Sequence, residues 1–317
     1  MREIIKKVPV PICGVMLGIA ALGNLLQSYS EGIRNVCGIA AGLLLILALL
    51  KLIMFPGMIK EDMKNPIMAS VAGTFPMALM LLSVYVKPFI GKGAFLIWVL
   101  AILLHIALII YFTVKFVFRL QMPKVFASYY IVYVGIVVAA VTAPAYEKLS
   151  IGAAAFWFGF ITLIVLLVLV TMRYIKYKEV PEPAKPLICI YAAPMSLCVA
   201  GYVQSVTPKS YGLLVGMFVA ASILYIFALI KAVGYLKLPF YPSYSAFTFP
   251  FVISAIASKQ TAACLANMGR PVPALQYVVL AERIMAVILV VYTLVRFLEF
   301  IFAKAPVDKT GKVSPVR

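Results

Sequence analysis

Residues 246–259 read AFTFPFVISAIASK, an apolar stretch with Pro250 near its centre and phenylalanines on both sides. The stretch lies in a longer apolar run, and a transmembrane helix needs about 20 such residues. Of the 317 residues, 65% are hydrophobic and only 12% are charged, whereas a soluble protein has roughly 25% charged residues. Long continuous apolar runs favour helices over the weak alternation of a β-barrel. We therefore predict an all-α polytopic membrane protein.

The proline at the centre of this stretch belongs to an internal repeat. Four other apolar stretches resemble it, and three of them also carry a proline at the same place, while the remaining one carries a glycine. The matching positions are Pro11, Pro76, Gly135, Pro194 and Pro250. Proline removes a helix hydrogen bond, and irregular backbone at membrane depth is tolerated only in protein interiors or beside cavities. These positions predict five broken helices that line a pore.

Ten apolar segments predict ten transmembrane helices, paired as five helical hairpins in a quasi-fivefold arrangement around a central pore. The odd-numbered segments are rich in Gly, Ala, Ser and Thr, which let helices pack closely, and the even-numbered ones are rich in larger apolar residues and face lipid. Both kinds belong to one transmembrane domain over residues 1–317, whose last residues, 304–317, form a short basic cytoplasmic tail. The predicted spans are 8–27, 34–55, 66–87, 93–117, 124–145, 150–172, 186–206, 210–234, 243–264 and 273–303.

Lysine and arginine predict the orientation in the membrane. With the N-terminus inside, the inner connections and termini hold 20 of these residues and the outer connections hold 7. Cytoplasmic loops carry such an excess, so we expect both termini to lie in the cytoplasm. We expect the membrane to be a bacterial inner membrane. The net charge of +18 is explained by this bias, and we predict no nucleic-acid partner.

No pattern of catalytic residues is present in the sequence. The single histidine, His105, cannot form a metal cluster by itself, and the five cysteines show no C-x-x-C spacing. A phosphate-binding G-x-x-x-x-G-K-[ST] loop is missing as well. We predict no enzyme activity, no cofactor and no metal, which leaves transport as the function class.

The odd-numbered segments carry no acidic residue, which favours small anions as the transported species. Glu282 is the one acid clearly within a span, and adjacent residues such as Glu282 and Arg283 point about 100° apart on a helix; the pair is either a gating site or a structural polar contact. Lys259 either attracts anions at the outer mouth or extends to the membrane interface. The candidate pore-lining residues are Gly14, Gly18, Ser196, Thr248 and Ser254.

Two stretches carry a resemblance to a known family. VPVPICGVMLGIAALGN at 8–24 and YSAFTFPFVISAIA at 244–257 resemble the P-x-x-x-F-G-x-x-x-G opening and the [FY]-[ST]-F-P signature of the tellurite-resistance/dicarboxylate transporter family. That family includes bacterial TehA proteins and the plant guard-cell slow anion channels. The resemblance extends over about residues 8–303, although Cys13 replaces the aromatic residue of the opening motif.

The resemblance implies an anion channel, or a channel-like transporter, that assembles as a homotrimer with one pore per subunit. It also implies that Phe249 plugs the pore, and Phe75 holds the equivalent place before Pro76. Independently of the family, either ring could narrow the pore or simply pack between helices. The alternative function is a secondary transporter that exports sulfite or tellurite-type oxyanions or carries four-carbon dicarboxylates such as malate.

Overall fold

A computed structural model describes residues 2–303, and the predicted tail at 304–317 lies outside these residues. All regular secondary structure in the described part is helical. In chain order the α-helices are α1 (Arg2–Lys7), α2 (Ile12–Leu26), α3 (Glu31–Met54), α4 (Pro56–Asp62), α5 (Pro66–Val71), α6 (Thr74–Ile90), α7 (Lys92–Phe112), α8 (Tyr129–Tyr133), α9 (Val138–Thr142), α10 (Leu149–Lys176), α11 (Ala193–Ser205), α12 (Tyr211–Tyr235), α13 (Phe249–Asn267) and α14 (Leu275–Phe302). The longer 3₁₀ segments are Ala143–Tyr146, Glu182–Ala192 and Pro242–Phe247.

Five long helices, α3, α7, α10, α12 and α14, form an outer layer. In the most apolar part of α3 only 22% of the residues are buried, and in α14 only 33%. Their free faces carry large aliphatic side chains, such as Ile53 at 72% exposed and Ile223 at 63%. In water such surfaces would be unfavourable, so these faces are suited to lipid. Two of these helices begin with a serine N-cap, and Ser30 Oγ accepts a hydrogen bond from the amide of Ile33.

Five inner segments alternate with the outer helices along the chain, and each consists of two or more helical pieces. They are residues 2–26, 66–90, 129–146, 182–205 and 242–267, called inner segments one to five below. In segment four, 94% of the most apolar part is buried. Each segment contacts the next, and segment five contacts segment one, so that the contacts close into a ring.

The prolines open new helices rather than bending continuous ones. Pro11 is the N-cap of α2, and Pro76 is the third residue of α6. Pro194 and Pro250 are the second residues of α11 and α13. Proline is well tolerated in the first helical turn, because its missing amide would have no intrahelical partner there. Each predicted break is thus a junction between two helical pieces of an inner segment.

The prediction of an all-α polytopic membrane fold is confirmed. Eight helical stretches of the described residues are long and apolar enough to cross a membrane. Two further apolar stretches, Ile12–Leu26 and Gly135–Tyr146, are shorter. The count of ten spans and the quasi-fivefold geometry stay predictions.

Candidate functional site

Two cavities lie inside the ring, and all five inner segments contribute side chains to both. The inner cavity has a volume of about 40 Å³ and lies at the breaks, where its wall includes Gly14, Thr74, Gly135, Pro194 and Pro250. The outer cavity has a volume of about 360 Å³, and its wall includes Asn24, Leu81, Thr142, Gln204 and Gln260. The smaller space holds on the order of a few water molecules.

Phe249 and Leu197 separate the two cavities. Both side chains belong to the wall of the inner cavity and also to the wall of the outer one. Phe249 is the first residue of α13 and is 6% exposed, and Leu197 is 2% exposed. A side chain that borders two spaces lies between them. An apolar layer that contains the Phe249 ring therefore lies between the two cavities.

Thr248 fixes the backbone that carries this ring. Its φ of −97° and ψ of −94° interrupt the segment between the 3₁₀ turn and α13. Its Oγ1 is 3.0 Å from the carbonyl oxygen of Gly14 and 2.7 Å from that of Ser245. The hydroxyl therefore links the break of segment five to α2 and to its own preceding turn, and its side chain is buried between helices.

Two glycines on α2 allow this close approach. A Cβ on Gly18 would lie 2.5 Å from Thr248 Cβ and 2.9 Å from the amide nitrogen of Phe249. A Cβ on Gly14 would lie 3.0 Å from Ser245 Cβ. Gly14 lines the inner cavity, whereas Gly18 is at a helix contact. Both glycines place segment five against α2 at the level of the Phe249 ring.

The backbone amides at the breaks of segments one and five do not form a free anion site. The amides of Ile12, Cys13 and Gly14 donate to carbonyl groups of the preceding turn, and those of Phe251 and Val252 donate to the carbonyl of Thr248. A helix N-terminus attracts anions when its first amides lack partners. These amides are occupied, so an anion would find no free amide donor at these two breaks.

Two cationic side chains line the outer cavity, and no acidic side chain of the described residues does. Arg34, on the first turn of α3, lies 4.4 Å above the Tyr85 ring and donates to Asn24 Oδ1 at 3.4 Å. Its Nη1 is 3.7 Å from Glu31, whose side chain is 62% exposed. An exposed partner is screened by water, so Arg34 leaves net positive charge at the cavity wall.

Lys259 is the second cation of the outer cavity. Its Nζ donates to Ser28 Oγ at 2.6 Å and to the carbonyl of Leu25 at 3.3 Å. Tyr29 stacks with this ammonium at 5.6 Å and with Arg283 at 4.2 Å. Uncharged partners do not neutralise an ammonium, so the Lys259 charge acts on the outer cavity.

Ser196 and Ser254 lie between helices rather than in the walls of the two cavities. Their hydroxyl oxygens are 3.0 Å apart, and Ser254 Oγ also donates to the carbonyl of Ala192 at 3.0 Å. The two serines link α11 to α13 behind the cavities. Small polar residues serve as helix contacts as well as pore linings.

Glu282 and Arg283 turn to different neighbours. Glu282 is 5% exposed, and its Oε2 accepts a hydrogen bond of 2.6 Å from Ser258 Oγ on α13. The gap around it is lined by Ser222 and Tyr225 of α12. Glu282 thus joins the outer helices α12 and α14 to α13 on the side away from the two cavities, while Arg283 stacks on Tyr29.

Phe75 lies at a different place from Phe249. It belongs to the wall of a third space, here called the lateral cavity, between inner segments one and two and helices α3 and α7. Its residues include Val8, Ile12, Lys51 and Pro76. The two phenylalanines that precede a proline in the repeat therefore border separate cavities.

His105 of α7 reaches inward to Gly135. Its Nε2 is 2.9 Å from the carbonyl oxygen of Val132, and a Cβ on Gly135 would lie 2.9 Å from its Cε1. The glycine at this break thus accommodates the imidazole of an outer helix. Within residues 2–303 no group of three or more His, Cys, Asp or Glu side chains is arranged to hold a metal ion.

Sequence reasoning missed most residues of the two cavities, and four of them matter for the site. Leu197 looked like any apolar residue of a helix, and Arg34 like a charge in an outer loop. Gln204 and Gln260 also line the outer cavity, and Gln260 Oε1 is buried without a hydrogen-bond partner among the described residues. A signal was present, because glutamine within an apolar span is unusual.

The chain was compared with known families and with curated proteins. The family model described as SLAC1, voltage-dependent anion channel, matches residues 7–298. The match extends from the end of α1 into the last turns of α14, and so includes every inner segment and both cavities. The search of curated proteins found no match.

Proposed function

Because the chain belongs to the SLAC1 voltage-dependent anion channel family, we propose that it passes small anions through the ring of inner segments, with the Phe249 ring as the closed point. Membership of the family makes the chain an anion channel or transporter. Family membership does not by itself identify the residue that closes the pore or the anion that passes, and both are part of our proposal.

The observation that carries the proposal is the position of Phe249 between the two cavities. An apolar constriction stops ions because the ion would have to lose its hydration shell there. A phenylalanine needs only a rotation about its side-chain bonds to move aside. The large outer cavity and the small inner one then join into one continuous space inside the ring.

The charges around the outer cavity support anions as the permeating species. Arg34 and Lys259 are in its wall, whereas Glu282 is behind α13 with its carboxylate directed to Ser258. At an effective dielectric constant of about 20, a unit charge about 8 Å away changes the energy of an ion by about 2 kcal/mol. Two cations therefore favour entry of an anion over a cation.

Substitution of Phe249 by alanine in liposomes tests the proposed closed point. We expect Phe249→Ala to raise chloride efflux about tenfold or more, which corresponds to a barrier lower by about 1.4 kcal/mol. Phe251→Ala is the matched control, since Phe251 is on the same turn, is fully buried and packs edge to face with Tyr225 at 5.7 Å. Equal efflux from the two variants would contradict the proposal.

A secondary transporter of sulfite, tellurite-type oxyanions or malate is the alternative within the same family. No basic side chain of the described residues lines the inner cavity, and a dianion at mid-membrane needs such a partner. The channel is therefore favoured. Flux that saturates and follows a proton gradient in liposomes would favour the transporter instead.

The proposed setting of the channel follows from the sequence and from the resemblance. We place it in a bacterial inner membrane with both termini in the cytoplasm, as the Lys and Arg distribution predicts. We propose a homotrimer with one pore in each subunit. Glycosylation-site insertion or cysteine labelling from each side tests the orientation, and native mass spectrometry tests the trimer.

A further inference from the structure

The lateral cavity is an apolar pocket outside the pore, with a volume of about 370 Å³. Its floor is buried, because Val8 and Ile12 are each 1% exposed. Its rim includes Leu52 and Leu104, which are 45% and 46% exposed. The cavity is therefore open on the face that the outer helices turn to lipid.

A buried lysine is part of the wall of this cavity. Lys51 is 4% exposed, its Nζ donates to the carbonyl of Lys6, and it lies 3.5 Å from Met58 Sδ. The ammonium is also 5.3 Å from the centre of the Phe55 ring, and Arg2 lies over the same ring at 5.9 Å. Two cations thus flank one aromatic ring at the edge of an apolar space.

The charge of Lys51 has no ion-pair partner within the described residues. The three ion pairs found there are elsewhere, and no carboxylate is within 4.0 Å of Lys51 Nζ. Asp62 of α4 is close enough to interact with Lys51 through space, and burial raises the pKa of Asp62 while Lys51 lowers it. A buried charge is costly unless it is paired. An anion at this position would relieve that cost.

From the apolar cavity, its opening to lipid and the unpaired ammonium, we propose that the lateral cavity binds an anionic phospholipid. One acyl chain fills the cavity, and the phosphate group pairs with Lys51. The volume is within the range of about 300–1,000 Å³ that is usual for ligand pockets. This site is separate from the anion pathway, so it goes beyond the proposed function.

The headgroup supplies the selectivity of this site. An acyl chain that enters the cavity leaves one apolar surrounding for another, so its transfer contributes little free energy. A charge-assisted hydrogen bond from Lys51 contributes more than a neutral one. We therefore expect a phospholipid with net negative charge to bind better than a zwitterionic one with the same chains.

The bound lipid contacts the back of the pore. Phe75 and Pro76 are in the wall of the lateral cavity, whereas their neighbours Thr74 and Met77 line the inner cavity. Likewise, Cys13 is in the wall of the lateral cavity and the adjacent Gly14 is in that of the inner one. An acyl chain at this place supports α2 and α6 where they enclose the pore.

Native mass spectrometry of the delipidated full chain tests the headgroup contact. Phosphatidylglycerol and phosphatidylcholine with identical chains are titrated in turn. We expect one phosphatidylglycerol per chain to bind about tenfold more tightly than phosphatidylcholine, which is about the effect of one charge-assisted hydrogen bond. Lys51→Met should abolish this preference, whereas Lys60→Met, at an exposed lysine of α4, should keep it.

A steric variant tests the same site without altering its charge. Ala107 of α7 is in the cavity wall, and Ala107→Trp should lower the bound phosphatidylglycerol about tenfold. Ile106→Trp is the control, because Ile106 is the preceding residue of the same helix, is 41% exposed and is not part of the cavity wall. Equal binding of the two lipids by the unaltered protein would overturn the proposal. Unchanged binding in both Lys51→Met and Ala107→Trp would also overturn it.

Discussion

Substitution of Gly18 by alanine is expected to disturb the contact that positions Phe249. The new Cβ would lie 2.5 Å from Thr248 Cβ and 2.9 Å from the Phe249 amide nitrogen, whereas ordinary contacts begin near 3.4 Å. The break of segment five and α2 must therefore move apart by about 1 Å, and overpacking of this kind costs about 1–3 kcal/mol. Thr248 Cβ is bonded directly to the backbone and the Phe249 nitrogen is part of it, so neither atom is a flexible side-chain end that could yield.

The matched control is Gly42→Ala on the outer helix α3. A Cβ on Gly42 meets no atom within 4 Å, and alanine in a helix is about 1 kcal/mol better than glycine. Both variants replace glycine by alanine, but we expect Gly18→Ala to destabilise the protein and Gly42→Ala to stabilise it or leave its stability unchanged. Thermal unfolding in one detergent should show Gly18→Ala below the unaltered protein and Gly42→Ala at or above it.

Chloride efflux from liposomes adds a functional readout to this comparison. A shift of about 1 Å in the backbone that carries Phe249 should loosen the apolar layer, so Gly18→Ala should leak more chloride than Gly42→Ala. If Gly18→Ala unfolds at the same temperature as Gly42→Ala and leaks no more chloride, the close contact between α2 and Thr248 does not exist.

Three further predictions concern polar side chains. Lys259→Gln should lower chloride over potassium selectivity several-fold at low salt, with a smaller loss at 1 M salt where the Debye length is about 3 Å; reversal potentials in bilayers measure both. Glu282→Leu should lower the unfolding temperature by leaving the buried Ser258 hydroxyl without its acceptor, at a cost of about 1–3 kcal/mol, and Ser258→Ala in the same background should restore part of the loss. Asn65→Ala should cost about 1 kcal/mol, because Asn65 Oδ1 accepts from two backbone amides at the start of α5, and Asn65→Ser should recover it.

The broken inner helices could be predicted from the sequence because proline and glycine mark them directly. The local form of the breaks could not be predicted. Pro76 is the third residue of α6, but Pro250 is the second residue of α13. The residue before each proline therefore has a different place relative to its break. This difference explains why Phe75 and Phe249 border different cavities although they match in the repeat.

The walls of the cavities could be predicted only in part. A run of small residues predicts that a helix packs closely, but it does not tell which face meets a neighbour and which meets a cavity. Ser254 contacts α11, whereas Ile253 beside it lines the outer cavity. Arg34 enters the cavity wall because α3 packs beside α2 and α6. A count of charges along the sequence does not show which helices pack together, so it could not predict this position.

A graded series at Phe249 in planar bilayers is the most direct test of the central claim. Current should rise from the unaltered protein through Phe249→Leu and Phe249→Val to Phe249→Ala as the side chain shrinks, and the reversal potential should stay near that of chloride. Phe251→Ala should behave as the unaltered protein does. Currents that do not follow the size of the side chain, or a Phe249→Ala pore that passes potassium as readily as chloride, would contradict a phenylalanine-closed anion pathway.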